Sequence, residues 1–251
     1  MQPKKQIHIE VHFTPDHLDE MQLKDKNIVV IDVLRACTTI TTALEHGAKE
    51  IIPVSTIENA VKISGNLFGD VTLRGGERNG KMIEGFNLGN SPLEYSEEVV
   101  KGKSIILITT NGSVAIVRGK HAKHLIVAAF VNISAVVRFL NELGSDFMII
   151  CAGKENHFCI EDAVCAGRII NKLGRSGSTE FILDDGAVAA AALDKSFGKS
   201  IVRMLKSSEH GKYLASIGFG SDLAVCAQVD AMETLPMLSG NVIRTWKKSM
   251  S

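Results

Sequence analysis

The feature that most constrains the fold is the alternation of short, β-branched apolar runs with segments of helical periodicity. Runs of this length and branching predict buried strands, and strands that alternate with helices are typical of layered α/β folds. We therefore expect an α/β fold, layered α/β/α, with a largely parallel or mixed sheet. The predicted strands are IVVI (28–31), IIPV (51–54), VTL (71–73), SIILIT (104–109), HLIVAAF (124–130) and DFMIICA (146–152).

The predicted helices are bounded by residues that favour helix ends. One helix is expected over Thr38–His46, because Gly47 supplies the left-handed conformation that closes many helices. Another is expected from Thr56 to about Leu67. Ser91, followed by a proline and then a glutamate three residues after the serine, marks a third helix start.

The remainder of the chain after about Leu173, beginning with the DDGAVAAAALDKSF segment, is predicted to be mostly helical. The stretch from ETLPML to VIRTW is expected to add an edge strand. No Pro- or Ser-rich linker interrupts the chain. We therefore expect one domain over residues 1–251, with two lobes of about 1–130 and 131–251 as the alternative.

Charge and hydropathy exclude several classes of function. Lys plus Arg and Asp plus Glu each total 28, so the net charge is zero and the basic excess of nucleic-acid-binding proteins is missing. No apolar run reaches the roughly 18 residues of a membrane span, and the N-terminus lacks the apolar core of a signal peptide. Together with five cysteines, an odd number, these features predict a cytoplasmic protein with reduced thiols. A homo-oligomer is compatible with them.

Polar side chains follow the predicted strands at their carboxyl ends, where open α/β sheets bind ligands. Asp32 and Arg35 follow the first strand, and the alternative to a ligand role is an ion pair between them that fixes the turn. Thr110, Asn111 and Gly112 lie in TTNGS. Backbone N–H groups at such a turn suit an anion, but an ordinary helix start has the same composition.

Two acidic residues, Glu161 and Asp162, open a later helix. The helix dipole alone favours acids in a first turn, while a carboxylate pair also suits Mg²⁺. Cys159 and Cys165, together with His157, are a further candidate set of metal ligands. The spacing between the two cysteines, however, is not one that zinc sites use. We therefore interpret these cysteines as buried structural thiols.

Residues 74–92, RGGERNGKMIEGFNLGNSP, form the longest irregular stretch. Loops longer than about 12–15 residues are uncommon in compact domains and are either functional or disordered. Phe86 and Leu88 are apolar anchors within the stretch, which favours an ordered, functional loop. The carboxylate of Glu77 suits a metal, and the adjacent guanidinium of Arg78 suits a phosphate. The helix start at Asn90 and Ser91 suits a second anion.

Signatures of several hydrolytic and phosphate-binding classes are missing from the sequence. There is no GxxxxGK[ST], no GxGxxG and no Gly-x-Ser-x-Gly elbow. A dehalogenase-type phosphatase would need a second acid where Leu34 stands. No cysteine is followed six positions later by arginine, and the eight histidines form no HExxH set.

Five motifs in order resemble the 2-phosphosulfolactate phosphatase family: VIDVLRACTTITTAL, GERNG, GFNLGNSP, TTNGS and CAG…F-x-x-ED-x-x-CAG. The resemblance covers about residues 28–170 and continues more weakly through EHG, SDLAVCA and Pro236. It implies an α/β, Mg²⁺-dependent phosphatase that converts 2-phospho-3-sulfolactate to 3-sulfolactate, a step of coenzyme M biosynthesis in methanogens. Two positions depart from the family pattern: Cys37 stands where threonine is expected, and Val114 replaces an arginine that would contact an anion.

With a small, triply anionic phosphoester as substrate, the candidate residues take the following roles as a hypothesis. Either Asp32 or Glu77 would orient or deprotonate the attacking water, and an aspartyl-phosphate at Asp32 is the alternative. Arg78 and Arg35 would stabilise charge on the transferring phosphoryl group. The expected metal ligands are drawn from Asp32, Glu77, Glu161 and Asp162, and the expected substrate contacts from Arg35, Asn90, Ser91, Thr110, Asn111 and Gly112. A phosphatase for another small acidic phosphoester, and a non-catalytic anion-binding module, remain the alternative functions.

Overall fold

The computed structural model describes residues 4–66, 71–173 and 179–248. In these ranges the strands are β1 Lys5–His12, β2 Asn27–Ile31, β3 Glu50–Val54, β4 Thr72–Arg78, β5 Lys81–Met82, β6 Ser104–Ile108, β7 His124–Ala128, β8 Phe147–Cys151, β9 Thr179–Leu183, β10 Pro236–Ser239 and β11 Val242–Thr245. The α-helices are α1 Glu20–Leu23, α2 Ala36–Glu45, α3 Ile57–Asn66, α4 Glu97–Val100, α5 Gly112–Arg118, α6 Ile133–Leu143, α7 Ile160–Lys172, α8 Asp185–Phe197, α9 Ile201–Ser207, α10 Glu209–Ser216 and α11 Asp222–Cys226. Short 3₁₀ helices cover Pro92–Glu94 and Phe130–Asn132.

Eleven strands of the described ranges form one mixed sheet in the order β5-β4-β6-β3-β11-β10-β7-β2-β8-β1-β9. Strands β4, β6 and β3 pair in parallel, and β7, β2, β8, β1 and β9 form a second parallel group. The β10–β11 hairpin pairs antiparallel with β7 on one side and with β3 on the other. The predicted α/β fold with a mixed sheet is therefore confirmed.

Alternate residues of β2 show how the layers form. Val29 and Ile31 pack in one apolar core with residues of α6, α7, α8 and α9, whereas Ile28 and Val30 pack in another with residues of α2 and α5. All four side chains are fully buried. Because successive strand residues point to opposite faces, the sheet must be covered on both sides, as parallel strands usually are. No described helix has both the length and the apolar character needed to span a membrane.

The strands predicted at 28–31, 51–54, 104–109, 124–130 and 146–152 are confirmed, each within a few residues. The first predicted helix begins earlier than expected, at Ala36, and the second begins at Ile57. Its predicted end near Leu67 lies outside the described residues. The helix expected after Ser91 is instead a 3₁₀ turn followed by the short α4. The division into lobes of about 1–130 and 131–251 stays a prediction.

Three strands were not predicted: β1, β9 and the two-residue β5, which lies inside the segment 74–92. β1 pairs in parallel with β8 and β9, and its alternating burial places Ile7, Ile9 and Val11 in the core. β9 lies at the end of the sheet, in a part of the chain that was predicted to be mostly helical. β1 has polar residues between its apolar ones, and β9 has only three apolar residues in a row, so neither contains the run of four or more that marks a buried strand.

The predicted edge strand near the C-terminus is wrong in its position. β10 and β11 form a hairpin in the middle of the sheet, between β7 and β3. Pro236 is the first residue of β10, where a missing N–H is tolerated. The hairpin joins the two parallel groups, which no short-range sequence pattern could have revealed.

The segment 74–92 is ordered, and its first part is a strand. β4 continues past the predicted end at residue 73 because two glycines let the backbone approach β6 closely. A Cβ at Gly76, which has a φ of +143°, would lie 2.0 Å from the carbonyl oxygen of Ile108. The chain then turns and folds back, so that Leu88 pairs with Gly75 and both predicted anchors, Phe86 and Leu88, are buried.

Candidate active site

A polar cavity of about 140 Å³ lies where the residues after β2, β4 and β6 meet. Its walls come from loops at the carboxyl ends of strands, which is the expected ligand position in an α/β sheet. Six of the predicted site residues line it: Asp32, Arg35, Glu77, Asn90, Thr110 and Asn111. The structure therefore brings together candidates that are up to 79 positions apart in sequence, from Asp32 to Asn111.

Asp32 sits directly after β2 and is almost completely buried. Its Oδ1 accepts a hydrogen bond from the N–H of Ala36, 3.2 Å away, so one oxygen supports the start of α2. Burial raises the pKa of Asp32 to about 6; His210 opposes the rise, and the charges of Glu77 and Glu161 add to it. Asp32 therefore both supports the turn and presents a carboxyl group to the cavity.

Glu77 lies near the end of β4, buried against the neighbouring strand-end loops. Its Oε1 accepts from the N–H of Thr110 at 2.7 Å, and its Oε2 accepts from the N–H of Gly80 at 2.8 Å. Each oxygen keeps a further lone pair, since an ionised carboxylate has about four acceptor positions. The two hydrogen bonds fix the carboxylate at the cavity wall and tie the turn after β4 to the loop after β6.

Arg35 pairs with Asp222 rather than with Asp32. Its Nη1 lies 2.7 Å from Asp222 Oδ2, and its Nη2 donates to the carbonyl oxygen of Gly80 at 2.6 Å. The guanidinium also stacks over Phe219, 4.3 Å from the ring centroid. The alternative of an Asp32–Arg35 ion pair is therefore wrong, and Arg35 is a fixed cation in the cavity wall.

Asp222 is a positioning residue that the sequence analysis missed. It is 1% exposed, and its second oxygen accepts from the Ser91 hydroxyl at 2.7 Å. One carboxylate thus holds two of the predicted substrate contacts, Arg35 and Ser91, from a helix far along the chain. SDLAVCA, the sequence around it, contains only an ordinary acid in a first helical turn.

Replacing Asp222 by asparagine should strongly destabilise the fold. The Asp222→Asn variant leaves the guanidinium of Arg35 buried without a counter-charge, which costs about 3 kcal/mol or more. Urea unfolding measures the loss, and adding Arg35→Met to the same chain should restore part of it. A loss below about 1 kcal/mol would mean that the pair is solvated and does not hold the site.

Two buried side-chain atoms at the cavity have no hydrogen-bond partner among the described residues: Asn90 Oδ1 and Thr110 Oγ1. Buried polar atoms are rarely left without a partner, so such atoms point to a ligand or an ion. Asn111 is differently placed, because its Oδ1 accepts from the N–H of Glu155 at 2.9 Å and holds that loop at the cavity.

Glu161 and Asp162 are buried at the start of α7, but they face different groups. Asp162 accepts hydrogen bonds from the N–H groups of Val33 and Gly153, at 2.9 and 3.1 Å, and so joins the loops after β2 and β8. Burial and the charges of Asp32 and Glu161 raise the pKa of Asp162 well above its usual range. Glu161 instead faces His210, whose Nδ1 lies 3.3 Å from Glu161 Oε1.

The four predicted metal ligands therefore do not form one compact cluster. Among the residues that the structure describes, only Cys159, Glu161 and His210 form a set of three or more such side chains with ligand atoms all within 4.8 Å. Asp32 and Glu77 nevertheless share the cavity. A site for Mg²⁺ needs only one or two carboxylates, because waters and phosphate oxygens complete its shell.

The donor atoms in the cavity fit Mg²⁺. They are hard oxygens, which Mg²⁺ prefers, and they include the unpaired Oδ1 of Asn90. Asp32 and Glu77 also repel each other, as the raised pKa of Asp32 reflects in part. A divalent cation would relieve this repulsion, and we expect the carboxylates of Asp32 and Glu77 to face it.

Besides Glu161 and Asp162, three predicted site residues lie outside the lining of this cavity as the structure describes it: Arg78, Ser91 and Gly112. Arg78 donates from Nη1 to the carbonyl oxygen of its neighbour Glu77, and its catalytic role stays a prediction. Ser91 is turned toward Asp222. A Cβ at Gly112 would lie 2.5 Å from Asp32 Oδ2, so packing there requires glycine, and the predicted substrate contact of Gly112 stays a prediction.

The sequence analysis assigned no role to several residues that line the cavity, among them Asn79, Lys154, His210 and Tyr213. Lys154 Nζ lies 4.5 Å from the centroid of the Tyr213 ring, and the Tyr213 hydroxyl donates to the carbonyl oxygen of Asn79. Thus α10 closes one side of the cavity through contacts with two loops. The only sequence signal was the weak similarity around EHG, which contains His210.

The fold and the cavity define an α/β protein with a buried acidic site that is bordered by a fixed guanidinium and a lysine. Comparison with known proteins then identifies the family. The family model described as 2-phosphosulpholactate phosphatase matches residues 12–241 of the chain. The chain therefore belongs to this family of phosphoric monoester hydrolases.

Several curated relatives carry matching names. A "probable 2-phosphosulfolactate phosphatase" of Caldanaerobacter subterraneus subsp. tengcongensis is 41% identical over 237 residues, 94% of this chain and 98% of the relative. A protein of the same name from Thermotoga maritima is 42% identical over 86% of this chain and 91% of its own length. One from Clostridium acetobutylicum is 37% identical over 94% and 99%.

Proposed function

We propose that the chain is a Mg²⁺-dependent phosphatase that hydrolyses 2-phospho-3-sulfolactate to 3-sulfolactate and phosphate, the type of step used in coenzyme M biosynthesis. The observation that carries the proposal is the convergence of Asp32, Glu77 and Asn90 on one cavity in a chain whose family match spans residues 12–241. The cavity volume of about 140 Å³ suits a small ligand rather than a polymer.

The substrate carries a phosphate ester, a carboxylate and a sulfonate on three carbons, so the site must supply cationic and N–H donors. Arg35 is held at a fixed position by Asp222 and by the Gly80 carbonyl group. Lys154 stands across the same cavity. These two cations counter the charge of the substrate although the protein as a whole is neutral.

Asp32 is our assignment for the group that accepts a proton from the attacking water. A general base works best with a pKa near the working pH, and burial raises the pKa of Asp32 to about 6. Its position immediately after β2, with one oxygen anchored on the N–H of Ala36, leaves the carboxyl group directed by the backbone rather than by a flexible loop.

Mg²⁺, when held at Glu77 beside Asp32, would neutralise charge on the phosphoryl oxygens and so assist in-line displacement. Glu77 is held for this role by two backbone N–H groups. Asn90 Oδ1 and Thr110 Oγ1, which have no partner among the described residues, would be free to contact the metal, its waters or the substrate. Glu161 and Asp162 remain predicted Mg²⁺ ligands; Asp162 accepts from the N–H groups of Val33 and Gly153, and Glu161 faces His210.

Replacing Lys154 by glutamine should mainly weaken substrate binding. In the described residues Lys154 forms no ion pair with a carboxylate, so its ammonium group is available to a substrate anion. Losing one charged contact of this kind costs about 1.5–3 kcal/mol, which predicts a KM raised roughly tenfold or more. Steady-state kinetics test this, with Lys62→Gln, an exposed lysine, as the matched control.

A loss of kcat in Lys154→Gln without a change in KM would contradict a role in ground-state binding. A panel of phosphorylated 2-hydroxy acids then tests the substrate itself. The proposed substrate should give the highest kcat/KM. If a phosphoester without a sulfonate is hydrolysed better, the chain is a phosphatase for another small acidic ester, as the missing arginine at Val114 would allow.

A further inference from the structure

We propose that Cys159, Glu161 and His210 form a second metal site, for a borderline divalent transition metal such as Zn²⁺, separate from the Mg²⁺ position at Asp32 and Glu77. The three ligand atoms, a sulfur, a carboxylate oxygen and an imidazole nitrogen, all lie within 4.8 Å of one another. A single ion can therefore reach all three after small movements.

The unsatisfied state of Glu161 is the second observation that points to an ion. Its side chain is 1% exposed, and the buried Oε1 accepts no hydrogen bond from the described residues. The imidazole of His210 lies 3.3 Å from this atom, but the arrangement lacks the geometry of a hydrogen bond. A buried carboxylate oxygen without a partner is costly, and a coordinated cation would remove that cost.

The chemical type of the three donors selects the metal. Thiolate and imidazole ligands suit zinc and its neighbours, whereas Mg²⁺ prefers oxygen donors only. Three protein ligands leave a fourth tetrahedral position for water, which is the pattern of open zinc sites. Coordination forms a bond between the metal and Sγ of Cys159, and the thiol proton leaves to solvent.

The three ligands come from rigid starts of two helices. Cys159 is the N-cap residue of α7, and Glu161 lies in the first turn of that helix. His210 lies in the first turn of α10, which is capped by the Ser208 side chain accepting from the N–H of Gly211. Rigid elements hold such a site more accurately than loops would.

A second cavity of about 560 Å³ provides the route for an ion. It borders Cys159, Glu161 and His210, and Phe158 lies half-exposed on its wall. His210 and Lys154 line this cavity and the catalytic one, so the proposed site lies at the boundary between the two. The ion would approach from a side that does not require passage through the Mg²⁺ position.

Cobalt(II) is the probe for the test, because a thiolate bound to Co²⁺ gives an intense near-ultraviolet charge-transfer absorption. The full chain is stripped of metal and titrated with Co²⁺ alone. We expect this absorption to appear at one equivalent and to vanish in Cys159→Ser. Binding of Co²⁺ should weaken by at least about tenfold in Cys159→Ser and in His210→Gln, since even indirect partners of a metal contribute that much.

Cys226→Ser is the matched control, because Cys226 is also buried but lies outside the proposed set. It should keep the absorption, and circular dichroism checks that every variant is folded. The absorption should also persist under a millimolar excess of Mg²⁺. Three results would each overturn the proposal: no absorption band in the folded wild type, a band that persists in Cys159→Ser, or a band that one equivalent of Mg²⁺ abolishes by displacing Co²⁺. His210 and Glu161 would then form a simple ion pair.

Discussion

Asp32→Asn should lower kcat by about a thousandfold while leaving the fold intact, because an amide cannot accept the proton of the attacking water. The amide oxygen can still accept the hydrogen bond from the N–H of Ala36, so the start of α2 is kept. Phosphate release at saturating Mg²⁺ measures the effect. Asp16→Asn, on an exposed carboxylate, is the matched control and should retain normal turnover.

The same substitution should stabilise the metal-free protein above pH 6. Burial raises the pKa of Asp32 from 3.8 to about 6, so the folded chain holds this proton more tightly than the unfolded chain does. Stability from this group is therefore present at low pH and is lost as the pH rises through about 6. At neutral pH the ionised Asp32 carboxylate therefore lowers the free energy of unfolding by an amount on the order of 3 kcal/mol, and Asp32→Asn removes this cost.

Thermal unfolding at pH 5 and pH 7.5, without metal, tests the stability effect. The melting temperature of Asp32→Asn should exceed that of the wild type by roughly 5 °C at the higher pH, and by less at the lower pH. A variant that is less stable than the wild type at pH 7.5, or one with near-normal turnover, would contradict the assignment of Asp32 as a strained functional carboxylate.

Glu77→Gln is expected to have the second large effect. This variant should be less stable than the wild type, whereas Asp32→Asn should be more stable. The carboxylate accepts N–H groups from both Thr110 and Gly80. Glutamine offers one oxygen and one NH₂ group, so one of these backbone donors meets another donor. The cost is about 1–3 kcal/mol, or a fall of roughly 5 °C in melting temperature. Turnover should fall at least about 100-fold, because a metal-facing charge is lost.

Glu84→Gln is the control for Glu77→Gln, since Glu84 is an exposed carboxylate in the same segment. It should change neither turnover nor melting temperature. If Glu77→Gln lowers stability while kcat stays normal, Glu77 is only a clamp between two loops. If kcat falls and a higher Mg²⁺ concentration is needed for half-maximal activity, the carboxylate also binds the metal.

The alternation of apolar runs and helices was enough to predict the α/β fold and most strands. It failed where a strand carries polar residues on one face. β1, KQIHIEVH, alternates buried and exposed residues and would have been found by a period of two. The central hairpin was missed for another reason, because pairing between β11 and β3 joins residues about 190 positions apart, such as Ile243 and Ile51.

Candidate residues of the cavity could be identified from the sequence where they lie directly after a strand. Asp32, Thr110 and Asn111 follow predicted strands and share one cavity, as these positions suggested, and Glu77 and Asn90 of the segment 74–92 line the same cavity.

Residues of the helical C-terminal part were not predicted, because the only signal around them was the weak similarity through EHG and SDLAVCA. Asp222 holds Arg35, and His210 faces Glu161, across distances that only the folded chain closes. Lys154 was also missed, although it lies in the loop directly after β8.

Phosphate release from 2-phosphosulfolactate, with Mg²⁺ and after chelation by EDTA, tests the central claim most directly. The purified chain should release phosphate with Mg²⁺, lose that activity in EDTA and regain it when excess Mg²⁺ is restored. Asp32→Asn should remain inactive in all three conditions. Release at the same rate in EDTA would contradict the role of the metal, and no release with Mg²⁺ from a folded chain would contradict the proposed function.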